Sequence, residues 1–98
     1  MKLRNRAAKF DVKVDKIFHL SDDSTVIVGV LVGTDRLLDV PCRSEVLVDG
    51  VSRGEIEIIS EWMPGPTAGR HQRALVTRNH FPADGEEIEA GKVKVVRI

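Results

Sequence analysis

The 98-residue chain has a single cysteine, Cys42, and no tyrosine. One cysteine excludes an internal disulfide framework and a cysteine-based zinc site, and it suits a reducing cytosol. A cytoplasmic setting is therefore expected. No apolar run approaches the roughly 20 residues that a membrane-spanning helix needs. The basic N-terminus lacks the apolar stretch of a secretory signal. No G-x-x-x-x-G-K-[ST] phosphate loop and no Asn-Lys-x-Asp sequence is present, so this chain alone is not expected to hydrolyse a nucleotide. His19, His71 and His80 are scattered, with no His-x-x-x-His or paired Cys/His spacing. No nucleophile–base constellation is readable. The expectation is a protein without catalytic residues, metal or cofactor.

One domain with one core is what this length supports. Fifteen basic and fifteen acidic residues balance, so net charge does not force capture of polyanions. The distribution is uneven. Residues 1–9 hold Lys2, Arg4, Arg6 and Lys9 without an acid, which predicts a flexible basic arm ahead of a single domain over residues 10–98. Residues 62–83 hold Arg70, Arg73 and Arg78, again without an acid.

Helical periodicity is also missing; residues 86–90 allow a single turn at most. What remains reads as strands. Phe10, Val12 and Val14 alternate with Asp11, Lys13 and Asp15. Ile17 and Phe18 then break the alternation, which predicts a bulge near Asp15-Lys16. A polar break at Ser21-Asp22-Asp23-Ser24 separates this strand from residues 25–32, which are β-branched or aliphatic apart from Gly29. Gly29 predicts a tight bend or a close backbone approach. Residues 33–44 read as a connection containing Pro41, with Leu37 and Leu38 tucked beneath it. Further strands are expected at 45–48, ended by Asp49-Gly50, at 55–62, at 72–78 and at 92–98. Met63-Pro64-Gly65-Pro66 stops one strand, and Asp84-Gly85 reads as a turn. Six short strands with turn chemistry between them predict a small closed antiparallel β-barrel.

Several segments, in order, resemble the second-domain β-barrel of the translation GTPases, elongation factor Tu among them. In that family an Ile/Val-Phe pair and a polar turn precede Gly-Thr-Val-Val-x-Gly. This chain reads Ile17-Phe18, a polar turn, then Ser24-Thr25-Val26-Ile27-Val28-Gly29. Glu55-Ile56-Glu57-Ile58-Ile59 is similar to a family strand with an acid between apolar residues. Ala68-Gly69 before Ala74-Leu75-Val76 resembles the family's Gly-led strand, and Glu86 to Val93 its closing segment. These residues carry none of the family's GTPase motifs, so a barrel without the GTPase domain is expected. The resemblance implies a six-stranded barrel of the translation-factor second-domain type. It also implies an RNA or adenosine pocket at Asp15, Phe18, Leu20, Val26 and Glu57 for a transfer RNA end or ribosomal RNA. Val28 replaces a family threonine and Ser60 a basic or polar contact. Arg70 and Arg73 are candidate phosphate contacts.

The second strand points to another use. Val26, Val28, Val30 and Val32 share one face and Ile27, Gly29 and Leu31 the other. A strand apolar on both faces is usually covered on both. The leading expectation is a protein-interaction module that uses Val28, Val30 and Val32, with a protein partner or a second copy covering them. RNA binding is the alternative, and a membrane is not expected.

Overall fold

Residues Asp11–His19 form strand β1, and Thr25–Val32 form β2. Residues 11–32, 40–62 and 72–98 are described by the computed structural model of the chain. The basic arm, Leu37, Leu38 and the stop at residues 63–66 lie outside them. The β1–β2 register shifts between Val14 and Lys16, so Asp15 is the extra residue of a bulge. The slip brings Ile17 opposite Ile27 and restores an apolar residue to the inner face. At the turn, the Asp22 carboxylate accepts a hydrogen bond from Ser24 N at 3.0 Å. That bond holds the Asp22 carboxyl below its ordinary range.

Cys42–Val48 is β3 and Val51–Trp62 is β4. Val48 pairs with Val51, leaving a two-residue turn in which Asp49 and Gly50 both have positive φ, 53° and 79°. This is the geometry that Asp-Gly favours in tight hairpins. β3 starts three residues earlier than expected, directly after Pro41, because a proline just outside a strand removes no ladder bond. β4 starts at Val51 rather than residue 55; Gly54, at φ 139°, follows the register shift that absorbs Arg53.

Gln72–Thr77 is β5, Gly85–Glu89 a five-residue helix, α1, and Val93–Arg97 is β6. All pairings are antiparallel. They run β1-β2-β5-β4-β3-β6 and return to β1, so the single sheet closes on itself. Val12, Val14, Ile27, Ile58, Leu75 and Val95 are among the residues that fill the interior. Phe81 and Ile88 join the same cluster. Ile88 brings α1 into the core beside the β1–β6 contact, which among the described residues runs from Asp11 to Lys13.

Gly29 stands where no side chain fits. A Cβ there would lie 2.3 Å from the Lys13 carbonyl oxygen and 2.8 Å from Val12 Cγ1. The close approach of β1 explains the glycine.

Asp84 is not a turn residue but the N-cap of α1. Its carboxylate accepts from Glu87 N at 2.8 Å, and Glu87 Oε1 accepts from Asp84 N at 3.1 Å. This reciprocal box satisfies two backbone donors that the helix cannot. The Arg53 guanidinium also bonds the Glu87 carboxylate. Arg53 first, then the Asp84 backbone, hold the Glu87 carboxyl below its ordinary value of 4.5. A depressed carboxyl stabilises the fold above its unfolded value and loses that contribution as pH falls through the folded one. Acidification below the ordinary glutamate range should therefore loosen α1 first. Amide exchange at Ile88, whose N–H bonds Asp84 O, should quicken on acidification relative to the core amide of Ile27, and Glu87→Gln should abolish that pH dependence. An unchanged Ile88/Ile27 ratio would contradict the coupling.

Candidate functional site

The outer face of β1, β2, β5 and β4 is set by register. Across these strands Phe18, Val26, Val76 and Ser60 form one row. Lys16, Val28, Ala74 and Trp62 form the next. Lys13, Val30 and Gln72 follow, then Asp11 and Val32. Directly opposed residues of an antiparallel pair share a face, so this is one continuous surface.

The four valines of β2 do not share one fate. Val26 is buried with Ala74 and Val76 in a small cluster outside the main core, and half-buried Val28 and Ile59 pack against it. The chain's own strands therefore cover the lower half of the face. Val30 is 39% exposed and Val32 50%. Phe18, Leu20 and Trp62 are 49%, 40% and 50% exposed; Phe18 lies across from Val26 at the turn end of β2, and Trp62 two strands over in the row of Val28. Lys16 Nζ lies 5.7 Å from the Phe18 ring centroid. Trp62, on the end of β4, was not distinguished by the sequence; its parity with Ser60 was the available signal.

The residues of the expected RNA pocket are only partly brought together. Phe18 and Val26 are directly opposed. Leu20 follows β1 in the turn, where its N–H bonds Ser24 O. Asp15 is on the bulge, exposed. Glu57 is on β4, three inter-strand spacings from β1, roughly 14 Å along the sheet. Its backbone N–H bonds Asn79 Oδ1 at 2.7 Å, and with Arg43, Glu55 and Ile56 it lines a separate open groove.

Arg73 is a correction. Its side chain is 2% exposed and its Nε lies 3.1 Å from Glu61 Oε2. Alternation places it on the inner face with Leu75 and Thr77, opposite Gly29. A guanidinium held there does not reach a phosphate outside. Arg70 lies outside the described residues.

Among the described residues no group of three His, Cys, Asp or Glu is placed to hold a metal ion, and no helix is long and apolar enough to cross a membrane. Cys42 is buried, with Sγ 3.9 Å from Ser44 Oγ. Thr25 Oγ1 and His19 Nδ1 are 3.3 Å apart at the turn end of the β1–β2 hairpin. Compared with family models, curated proteins and solved structures, the chain matches none.

Proposed function

We propose that this chain is a non-catalytic binding module, a β-barrel of the translation-factor second-domain type, and that it binds protein through the outer face of β1, β2, β5 and β4. One observation carries the reading. Phe18, Val30, Val32 and Trp62 are large, apolar and 49%, 39%, 50% and 50% exposed on the outer face of this sheet. Exposed apolar patches of roughly 300–600 Å² are near the upper limit for monomers and often mark binding sites. The segment likenesses and the closed ring of six strands support the barrel type. The RNA reading loses Arg73 to Glu61 and has Glu57 on a distant strand.

A photoreactive residue at position 32, used in native extract, tests this. Protein adducts are expected that survive ribonuclease and high salt and that vanish when Val30→Lys is added. Phosphate-driven contacts weaken steeply with salt, whereas apolar contacts do not. Adducts lost on ribonuclease treatment would instead establish the RNA reading. Absence of any Val30-dependent protein adduct would overturn the protein one.

A further inference from the structure

We infer that the partner adds an extended strand to β1, running antiparallel along residues 16–19 on the side away from β2; this rests on reading the chain as a protein-binding module. Among the described residues, β6 pairs with β1 at Asp11, Val12 and Lys13, and no strand continues that pairing down the rest of β1. The main-chain direction there is set by the hairpin. Leu20 N–H bonds Ser24 O across the turn, so Phe18 and Lys16, at alternate positions before it, turn their N–H and C=O toward β2. Ile17 and His19 turn theirs the other way. α1 lies against β1, but the N–H groups of Ala90, Gly91 and Lys92 bond carbonyls of α1 itself, and no main-chain bond joins α1 to β1. The N–H and C=O of Ile17 and of His19 therefore stand in a row with no protein partner among the described residues.

Those groups specify their occupant in a way that apolar surface does not. An extended main chain offers acceptors and donors at the same two-residue spacing. A second vacant stretch of edge, on β4, shows what a plugged one looks like. Where β5 ends opposite Ile58, the Glu57 N–H is taken by Asn79 Oδ1 at 2.7 Å, and Arg53 reaches the Pro82 carbonyl at 3.4 Å. β1 carries no such plug among the described residues. A lysine often guards a strand edge, but Lys16 lays its ammonium over the Phe18 ring. Side chains give the added strand its pattern. Its residue opposite Phe18 shares the outer face and covers a half-exposed ring, and the residue two places later meets Lys16. The segment is therefore extended, with an apolar residue followed two places later by Asp or Glu.

A displayed library of random peptides about ten residues long, selected on the full chain, tests this. The recovered peptides are expected to share the apolar-x-acid pattern and to shift the Ile17 and His19 amide resonances. His19→Pro removes an N–H that β2 does not use and puts a ring on the vacant side, so it should weaken binding roughly tenfold or more. His19→Ala keeps the main chain and should bind like wild type. Both variants should unfold at the same temperature, since the β1–β2 ladder is intact in each. Lys16→Glu should replace the recovered acid by Lys or Arg. Methylating the peptide nitrogens that face β1 should abolish binding, and methylating the alternate ones should not. If His19→Pro fails to fold, the methylated peptides carry the test, and binding indifferent to them overturns the added strand. Recovery of no peptide that separates His19→Pro from His19→Ala would overturn it too. Peptides that need Val30 and ignore His19→Pro would overturn the edge and leave the outer face standing, a reading that the adducts at position 32 decide separately.

Discussion

Glu61→Ala is expected to destabilise the fold by about 3–5 kcal/mol, the usual cost of removing one partner from a buried ion pair. The Glu61 and Arg73 side chains are 4% and 2% exposed, and the charged atoms are 3.1 Å apart. Without the carboxylate, a buried guanidinium loses a charge partner held 3.1 Å from its Nε. Arg73 Nη1 keeps its bond to Gln72 O at 2.9 Å, but a carbonyl does not neutralise a full charge. Against a whole-domain stability of about 5–15 kcal/mol, the loss is large. Replacing both partners, with Arg73→Met and Glu61→Leu, should be close to neutral or stabilising, since two desolvated charges are removed together. The exposed pair Arg43–Glu55 is the control, with side chains 74% and 49% exposed. Arg43→Ala should move stability by less than about 1 kcal/mol. Urea unfolding of the three variants measures all of this. Equal effects for Glu61→Ala and Arg43→Ala would show that burial does not govern the pair.

This pair also marks where the sequence was silent. Arg73 stands among Arg70, His71 and Arg78, so composition suggested an exposed basic strip. Its parity with Leu75 turns it inward, and Glu61 on β4, twelve residues earlier, supplies an acid beside it. A partner reached through the register of a neighbouring strand leaves no local trace. Local chemistry was legible where the physics is local. The alternation of β1, its bulge at Asp15, the Asp49-Gly50 hairpin and the limits of β2 all follow from neighbouring residues. The cap of α1 was missed, although Asp84 and Glu87 have the spacing of a capping box. A five-residue helix has too little length to show a period, so Asp84-Gly85 looked like a turn. Val26 to Val32 was recognised as apolar on both faces. Its division into a covered half and an exposed half depends on Ala74, Val76 and Ile59, which arrive from β5 and β4.

Ile27→Ala is expected to cost about 2–5 kcal/mol, for the lost burial and the cavity left behind. Ile27 has no exposure, and it sits between Ile17 on β1 and Leu75 on β5. A closed sheet gives its interior few ways to collapse around a void, because each strand is fixed on both sides. That places the cost toward the upper part of the range. Val30, three residues along the same strand, faces the opposite way and is 39% exposed. Val30→Ala should change monomer stability by less than about 1 kcal/mol, as surface substitutions usually do. The two variants therefore separate the two faces of β2. Ile27→Ala should lower the urea midpoint with little change in the affinity of the folded fraction for its partner. Val30→Ala should leave the midpoint of dilute protein in place and weaken association. Because association stabilises whatever it binds, the unfolding comparison belongs at concentrations below the dissociation constant. A Val30→Ala variant as unstable as Ile27→Ala would mean that the outer face is part of the core.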